Sequence, residues 1–269
     1  MSPSWRERFC IGLAPERVAV LRFARGLRPR LAADRVRECG EAAGPAWTAA
    51  LAALDALLDD LSASGGLASV ALSNQFVRYA EVPWTQGVLS DRDRDALAAD
   101  CFRAVYGEAV DGWQFVLAAP QFGRASLAAA VDKELVESLR AMLAGRRMRL
   151  ASLRPHLAIA FDRSRRHLLP ADDGFAVIEP GGVTALFRRG DDWTAVANRR
   201  LRGSGEAAAS LGQCLDFDRL QGGSGAVAVL APAGALDVKV INGRPLRPLG
   251  GLAGPWPEDP WRALAWSAA

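Results

Sequence analysis

The sequence predicts an α/β protein in which one structural unit occurs twice. In the second half of the chain, short apolar runs are separated by glycine-bearing turns, at residues 175–178, 183–187 and 193–197. Runs this short, joined by such turns, are typical of a three-stranded antiparallel meander. A weaker copy of the pattern opens the chain, at residues 9–13, 17–23 and about 28–37.

Helices and strands follow the first meander. Gly44-Pro45 begins a predicted helix whose apolar residues recur at steps of three and four as far as Leu61. Residues 67–72 and 76–82 are then predicted strands. A capping box at Ser90-Asp91-Arg92-Asp93 predicts the start of a second helix.

The remainder of the first half is predicted as strand, helix, strand and helix. Residues 114–119 form a buried strand, and residues 124–144 form the clearest helix, with an apolar stripe from Leu127 to Leu143. Residues 148–153 form another strand, and Pro155 opens a short helix.

The second half repeats this order in a shortened form. A helix over 206–220, strands over 226–230 and 236–241, and a last helix over 261–266 follow its meander. We expect a first half at 1–165 with an inserted subdomain around 73–153, and a second half at 166–269. Two meanders, each followed by helices and strands, outline duplicated ribonuclease-H-like halves with mixed sheets flanked by helices, the plan of actin-like proteins.

Composition excludes several classes of protein. The chain has 269 residues, 50% hydrophobic and 23% charged, as in ordinary globular proteins. The net charge is +3, and the basic residues are spread along the chain. Nearly all of them are arginine, a bias typical of a GC-rich bacterial genome. A nucleic-acid-binding protein would cluster them, so no nucleic-acid partner is predicted.

Cysteine spacing and hydropathy predict the compartment. The four cysteines lie far apart without a CxxC pair, which predicts buried free thiols in a reducing compartment. No apolar run reaches the roughly 20 residues of a membrane span, and the N-terminus lacks the apolar core of a signal peptide. We therefore expect a cytoplasmic protein.

The order of elements resembles that of the PilM-type proteins of type IV pilus assembly. It is also similar to the cytoplasmic domain of GspL, a type II secretion protein; both are actin-like. CIGLAPERVAVLRF and GFAVIEPGGVTALFRRGDDW stand at the two phosphate hairpins of the family, and ALSNQFVRYAEVPW leads into the inserted subdomain. WQFVLAAP and MRLASLRPHLAIAF match the elements that follow. GspL has a membrane span after this domain and this chain has none, so the PilM-like interpretation is preferred.

In the family that the chain resembles, each phosphate hairpin carries an acidic residue and small residues. The first hairpin has Gly12 at the acidic position, then Ala14 and Pro15, which has no N–H to donate. Its only carboxylate is Glu16.

The second hairpin has Ile178 or Glu179 at the acidic position and Pro180 in the turn, and the loop aligned with the adenine site, 231–234, keeps one glycine. We therefore predict a lost nucleotide site, no cofactor and no enzymatic activity. If ATP still binds, the residues of its site would be Glu16, Glu179, Gly181, Gly182 and Thr184.

No catalytic or metal constellation is visible. His156 and His167 have no partner at metal-ligand spacing. Adjacent acids such as Asp172-Asp173 are interpreted as solvated turn residues.

The resemblance implies a partner: an extended cytoplasmic tail of an inner-membrane pilus or secretion protein that docks on the first half. Tryptophan is enriched in binding hot spots, so Trp84 is the first candidate. The other candidates are exposed-strand or loop residues: Phe76, Arg78, Tyr79, Phe122 and Arg124. The alternative interpretation is that these residues only alternate between core and solvent.

Three functions remain open. The first is a non-enzymatic scaffold at the cytoplasmic face of the inner membrane. The others are a divergent actin-like ATPase or sugar-kinase relative, and a stand-alone regulator. Peripheral membrane association, through the arginine groups at 146–149 and 163–166, and a homodimer are further expectations.

Overall fold

The computed structural model describes residues 6–26, 30–86, 90–119, 122–190, 192–201, 205–249 and 259–269. Its contacts divide the chain into two units. The first contains Met1–Phe76, Glu134–Arg163 and Gly254–Ala269. The second contains Val77–Lys133 and Ser164–Ala253.

Strands and helices alternate along most of the described chain. The strands are β1 Arg8–Leu13, β2 Arg17–Ala24, β3 Arg30–Glu38, β4 Leu67–Leu72, β5 Val77–Val82, β6 Trp113–Leu117, β7 Ser126–Asp132, β8 Arg149–Pro155, β9 Asp172–Glu179, β10 Gly182–Arg189, β11 Asp192–Arg200, β12 Ala226–Leu230, β13 Val240–Ile241 and β14 Arg244–Pro248. The helices are α1 Ala46–Asp60, α2 Asp91–Tyr106, α3 Lys133–Gly145, α4 His156–Ser164, α5 Ala207–Leu220 and α6 Pro260–Ser267.

The first unit is built on a five-stranded sheet of order β3-β2-β1-β4-β8. β1, β2 and β3 form the predicted antiparallel meander, and β4 and β8 add parallel strands beside β1. Residues 28 and 29 of the predicted third strand lie outside the described residues. Helix α6 packs on the sheet face that carries Cys10, Leu21 and Phe23.

The second unit repeats that order in the strands β11-β10-β9-β12-β14, with β13 added at the edge. β9 pairs antiparallel with β10 and parallel with β12, as β1 pairs with β2 and β4. Helix α5 contributes Ala207, Leu211, Cys214 and Leu215 to a core whose other buried members come from the sheet. The predicted duplication is confirmed by this topology.

An inserted subdomain carries a separate three-stranded sheet of order β5-β7-β6, covered by α2. The capping box predicted at the start of α2 is present, with the Ser90 and Asp93 side chains each bonded to the other residue's backbone. The strands of this sheet lie between Val77 and Asp132; α3 belongs to the first unit, and β8 belongs to the first sheet.

The helix predicted over 124–144 is wrong over residues 124–132. Residues Ser126–Asp132 form β7, the central strand of the three-stranded sheet, and α3 begins only at Lys133. Ala128 and Ala130 are both fully buried, so the side chains alternate as in a strand. Pairing with strands on both sides supplies the backbone hydrogen bonds, which outweighs the helical propensity of three consecutive alanines.

Two predicted strands are also corrected. The predicted strand 236–241 is reduced to Val240–Ile241, and the pairing strand is β14, which contains two prolines. Leu246 and Leu249 donate backbone hydrogen bonds to the carbonyl oxygens of Lys239 and Val229, so pairing continues around those prolines. The predicted buried strand 114–119 is the edge strand β6, in which Val116 is 62% exposed.

A buried ion network joins four elements of the second unit: β9, β10, α5 and β14. The Arg244 guanidinium lies between the carboxylates of Asp173 and Asp218, and Arg189 donates to Asp218 at 2.7 Å. Asp173 also accepts the N–H of Gly225 at 2.6 Å, and Arg247 pairs with Asp172. The solvated-turn interpretation of Asp172-Asp173 is therefore wrong: Asp172 is 3% exposed and both acids bind arginines far along the sequence.

We expect Asp218→Ala to lower the free energy of unfolding by about 3–5 kcal/mol, because the buried Arg244 guanidinium loses one of its two carboxylate partners. Glu38→Gln, which removes the exposed ion pair with Arg17, is the matched control and should change little. Equal midpoints for both variants in denaturant titrations would show that the network adds no stability.

Candidate functional site

The first hairpin is a tight turn between β1 and β2. The Ala14 N–H donates to the Arg17 carbonyl at 3.3 Å, which closes the turn around Pro15 and Glu16. Glu16 is exposed, and its carboxylate accepts a hydrogen bond from the Gln75 amide at 3.3 Å. The only carboxylate of this turn therefore points to the surface and is held by a neighbouring side chain.

Helix α6 occupies the space at Gly12, the position where the resemblance places an acidic residue. A Cβ atom on Gly12 would lie 2.7 Å from the backbone nitrogen of Ala265 and 3.0 Å from Cγ of Leu264. A contact of 2.7 Å to backbone cannot be relieved by rotating a side chain, so only glycine fits here. No side chain, and therefore no carboxylate, can be placed at this point without moving α6.

Helix α6 is anchored at both ends. Asp259 caps its N-terminus by accepting the N–H groups of Trp261 and Arg262 at 2.9 and 3.0 Å. Arg262 donates to Asp34 of β3 at 2.7 Å, and the Trp266 ring lies 5.7 Å from that of Phe23. These contacts hold the helix against the sheet at Gly12.

The second hairpin is a two-residue turn, Pro180-Gly181, between paired residues Glu179 and Gly182. Proline followed by glycine at φ +79° is typical of a type II turn. Pro180 has no N–H, so this turn has one backbone donor fewer than a phosphate-binding hairpin with a non-proline residue would offer.

Thr184 is engaged inside the second unit. The residue is 1% exposed, and its hydroxyl donates a hydrogen bond to Oδ1 of Asn198 at 3.2 Å. Asn198 in turn donates from Nδ2 to the carbonyl of Val77 at 3.2 Å. The threonine that was a candidate for phosphate binding therefore belongs to a polar chain that joins β10, β11 and β5.

Glu179 and Tyr79 lie together in the same unit. Glu179 is 6% exposed. Burial of the Tyr79 hydroxyl raises its pKa well above the ordinary value, and the nearby negative charge of Glu179 raises it further. The carboxylate that was the candidate Mg²⁺ ligand is thus buried beside a neutral phenol.

The structure brings two partner-binding candidates into contact. The rings of Trp84 and Phe122 lie 5.2 Å apart in an edge-to-face arrangement, and the residues are 42% and 92% exposed. They meet because β5 pairs with β7 through Val82 and Ser126, and each aromatic residue lies just beyond that end of its strand. We call Trp84 and Phe122 the aromatic pair.

The other partner-binding candidates lie elsewhere. Phe76 is 6% exposed and closes a turn of 3₁₀ helix before β5. The Arg78 guanidinium lies over the Trp113 ring at 4.6 Å, a cation–π contact within the subdomain. Arg124 is half-buried near Phe122 in the sequence.

The described residues contain no group of three His, Cys, Asp or Glu side chains able to hold a metal ion. All four cysteines are free, and burial raises the pKa of Cys10 and Cys214 to about 11, so these two remain thiols at neutral pH. Cys39 and Cys101 are only half-buried, which corrects the prediction of four buried cysteines. Among the described helices, none has the length and apolarity of a membrane span.

One cavity of the first unit is lined by charged side chains of β8 and α4. Arg154 and Asp162 form an ion pair there, and Arg163 donates to the carbonyl of Trp266 at 3.4 Å. Because these charges are engaged with their neighbours, we assign no chemistry to this cavity.

Sequence reasoning missed the contact between α6 and Gly12 and the electrostatic interaction between Tyr79 and Glu179. A glycine inside an otherwise apolar strand is a signal of close backbone approach, so the first contact had a local signal. The second joins residues 100 positions apart, and no local pattern marks it.

No protein-family model matches the sequence, and neither does any curated protein. Solved structures share the fold. The chain matches a structure described as the PilM-PilN type IV pilus biogenesis complex with a TM-score of 0.65 and 17% identity, over 97% of each chain.

Two further structures match over most of their length. The cytoplasmic domain of EpsL, an inner-membrane component of the type II secretion system of Vibrio cholerae, gives a TM-score of 0.60 and 13% identity, over 97% of this chain and 94% of that one. A Bacteroides thetaiotaomicron protein described as having an actin-like ATPase fold and unknown function gives 0.55 and 8%, over 87% and 84%. The chain therefore has the actin-like fold, and its predicted likeness to PilM and to the secretion-protein domain is confirmed at the level of structure.

Proposed function

We propose that this protein is a non-enzymatic actin-like scaffold of a type IV pilus or type II secretion-like platform. It acts in the cytoplasm at the inner membrane, where it binds the cytoplasmic tail of a membrane partner. The observation that carries the proposal is the extent of the likeness to PilM and to the EpsL domain, which covers 97% of this chain in both cases.

The residues of the two hairpins support the proposal that the protein does not bind a nucleotide. Mg²⁺ is bound in nucleotide sites through carboxylates and phosphate oxygens, and phosphates need converging N–H donors. At Gly12 the backbone of α6 excludes a carboxylate, and at Pro180 a donor is missing. Neither hairpin keeps the full set of groups that the chemistry requires.

The aromatic pair supports a protein partner. Trp84 and Phe122 present contiguous apolar surface at the end of a strand pair, and Phe122 is almost fully exposed. Exposed aromatic residues that already pack on each other lose little conformational entropy on binding, which suits a docking site for an extended tail. Arg124, two residues after Phe122 in the sequence, is the candidate for a polar contact with the tail.

The alternative, a divergent ATPase or sugar-kinase relative, would use Glu16, Glu179 and the Gly181-Gly182 turn. It requires Glu179 to reach a metal ion, whereas Glu179 is only 6% exposed. A stand-alone regulator would keep the fold but bind neither nucleotide nor a membrane tail.

Millimolar Mg-ATP is expected to leave the melting temperature of the protein unchanged. A ligand at about 100 times its Kd would add about 2.7 kcal/mol of stability and raise the melting temperature by several degrees. A shift that is present in the wild type and absent in Glu179→Ala, each measured with and without Mg-ATP, would instead establish the nucleotide-binding alternative.

We expect Gly12→Asp to destabilise the protein by about 3 kcal/mol or more, because its Cβ would overlap the α6 backbone and its carboxylate would be buried. Gly40→Asp is the control, since no atom lies within 4 Å of a Cβ at that exposed glycine. A Gly12→Asp protein as stable as the control, with newly acquired Mg-ATP binding, would show that only the carboxylate had been missing.

Trp84→Ala and Phe122→Ala are each expected to weaken binding of the partner tail by about tenfold or more. The probes are labelled peptides of the cytoplasmic tails of inner-membrane proteins encoded beside this chain, measured by fluorescence anisotropy. Leu220→Ala, which truncates an 88% exposed residue of α5, is the control. Unchanged affinity in both aromatic variants, for a tail that the wild type binds, would place the docking site elsewhere.

A further inference from the structure

The end of the first sheet at which β1, β4 and β8 begin is rich in arginine. Arg8, Leu67 and Arg149 pair across these three parallel strands, so they stand in one row. β2 runs in the opposite direction and ends here, and Arg30 of β3 pairs with its last residue, Ala24. Neighbouring strands lie about 4.8 Å apart, so the four spacings of five strands make this end about 19 Å wide.

Arginines just outside the strands extend the row. Arg25 follows β2 directly, and Arg6 and Arg147 each lie two residues before the first residue of a strand. Apart from Arg8, which is half-buried, all of the arginines at this end are exposed. We call the set the arginine stripe: Arg6, Arg8, Arg25, Arg30, Arg147 and Arg149.

Acidic side chains at this end are bonded to other arginines. The Glu7 carboxylate accepts from Arg22 at 2.8 Å, and Asp55 and Asp59 of α1 accept from Arg146 at 2.6 and 2.8 Å. Within the described part of the chain, no ion pair joins an acid to a member of the arginine stripe. The stripe therefore presents guanidinium groups that keep their charge for an anionic ligand.

An exposed leucine stands among these charges. Leu31 of β3 and Arg8 of β1 both pair with Phe23 of β2, so the three side chains share one row and one face. Leu31 is 42% exposed, whereas the Phe23 ring is buried against Trp266 at 5.7 Å. An exposed apolar side chain beside arginines favours a surface with phosphates above hydrocarbon over a polyanion that is polar throughout.

We propose that the arginine stripe binds the phosphate headgroups of an anionic membrane surface. A guanidinium group binds phosphate oxygens through two parallel N–H donors, and it is more weakly hydrated than the ammonium group of lysine. A row about 19 Å wide on one sheet can contact several headgroups at once, and Leu31 then reaches toward the acyl chains. The inference deepens the proposed function and rests on it for a location at the inner membrane, where lipid contact would hold the scaffold beside the tail that it binds.

The test is co-sedimentation of the whole protein with phosphatidylcholine vesicles that contain about one-third phosphatidylglycerol. We expect binding to these vesicles and none to vesicles of phosphatidylcholine alone, because the attraction needs anionic headgroups. Binding should be lost at about 1 M salt, where the screening length falls to about 3 Å.

Two double variants test the stripe at its opposite sides. Arg25→Gln with Arg30→Gln, and Arg147→Gln with Arg149→Gln, should each weaken vesicle binding about 25-fold, since an arginine close to an anionic surface contributes about fivefold. All four residues are exposed, so the variants should fold, and an unchanged melting temperature checks this.

Arg200→Gln with Arg219→Gln is the matched control. It removes the same net charge from two exposed arginines of the second unit. Because exposed charges farther away than the screening length contribute little, binding should change by less than about twofold. Leu31→Asn, which keeps every charge, should also weaken vesicle binding, because it removes apolar surface from the contact.

Three results would overturn the inference. They are no binding to anionic vesicles at low salt, stripe variants that bind like the wild type, and an equal loss in the control variant. Tighter binding to a DNA duplex than to the vesicles, lost in the stripe variants but not in Leu31→Asn, would assign the stripe to nucleic acid instead.

The scaffold proposal is tested separately, with the partner-tail peptide and no lipid present. There the stripe variants should bind with unchanged affinity. A protein that binds the tail but not the vesicles contradicts only the membrane contact. One that binds the vesicles but no tail contradicts only the scaffold.

Discussion

The close approach of helix α6 to strand β1 is the constraint on which the first unit depends. The backbone of Ala265 comes so near to Gly12 that no side chain fits between them. This contact lets the helix cover the inner strands of the sheet and bury Cys10, Leu21 and Phe23. Tight packing of this kind stabilises the fold through apolar burial, but it also removes the space in which a metal-binding carboxylate would stand.

Polar side chains near the second hairpin are likewise engaged within the second unit. Thr184 and Asn198 are hydrogen-bonded to each other, and Asn198 donates to the Val77 carbonyl of β5; the charge of Glu179 acts on Tyr79 of the same strand. Buried polar groups must be satisfied, and a satisfied network fixes one arrangement of the strands that carry it. The hydrogen bonds of Thr184 and Asn198 thus join β10 and β11 to β5, the first strand of the inserted subdomain, within one unit.

The range of an interaction along the sequence decided what could be predicted. Both meanders were predicted correctly because glycine turns and short apolar runs are local signals. The run Ser126–Asp132 was predicted as helix because three alanines favour a helix locally, whereas the strands that pair with it lie elsewhere in the chain. The buried acids Asp172 and Asp173 were misassigned because their arginine partners lie 75 and 71 residues away. Trp84 and Phe122 were each identified, but their contact follows from strand register.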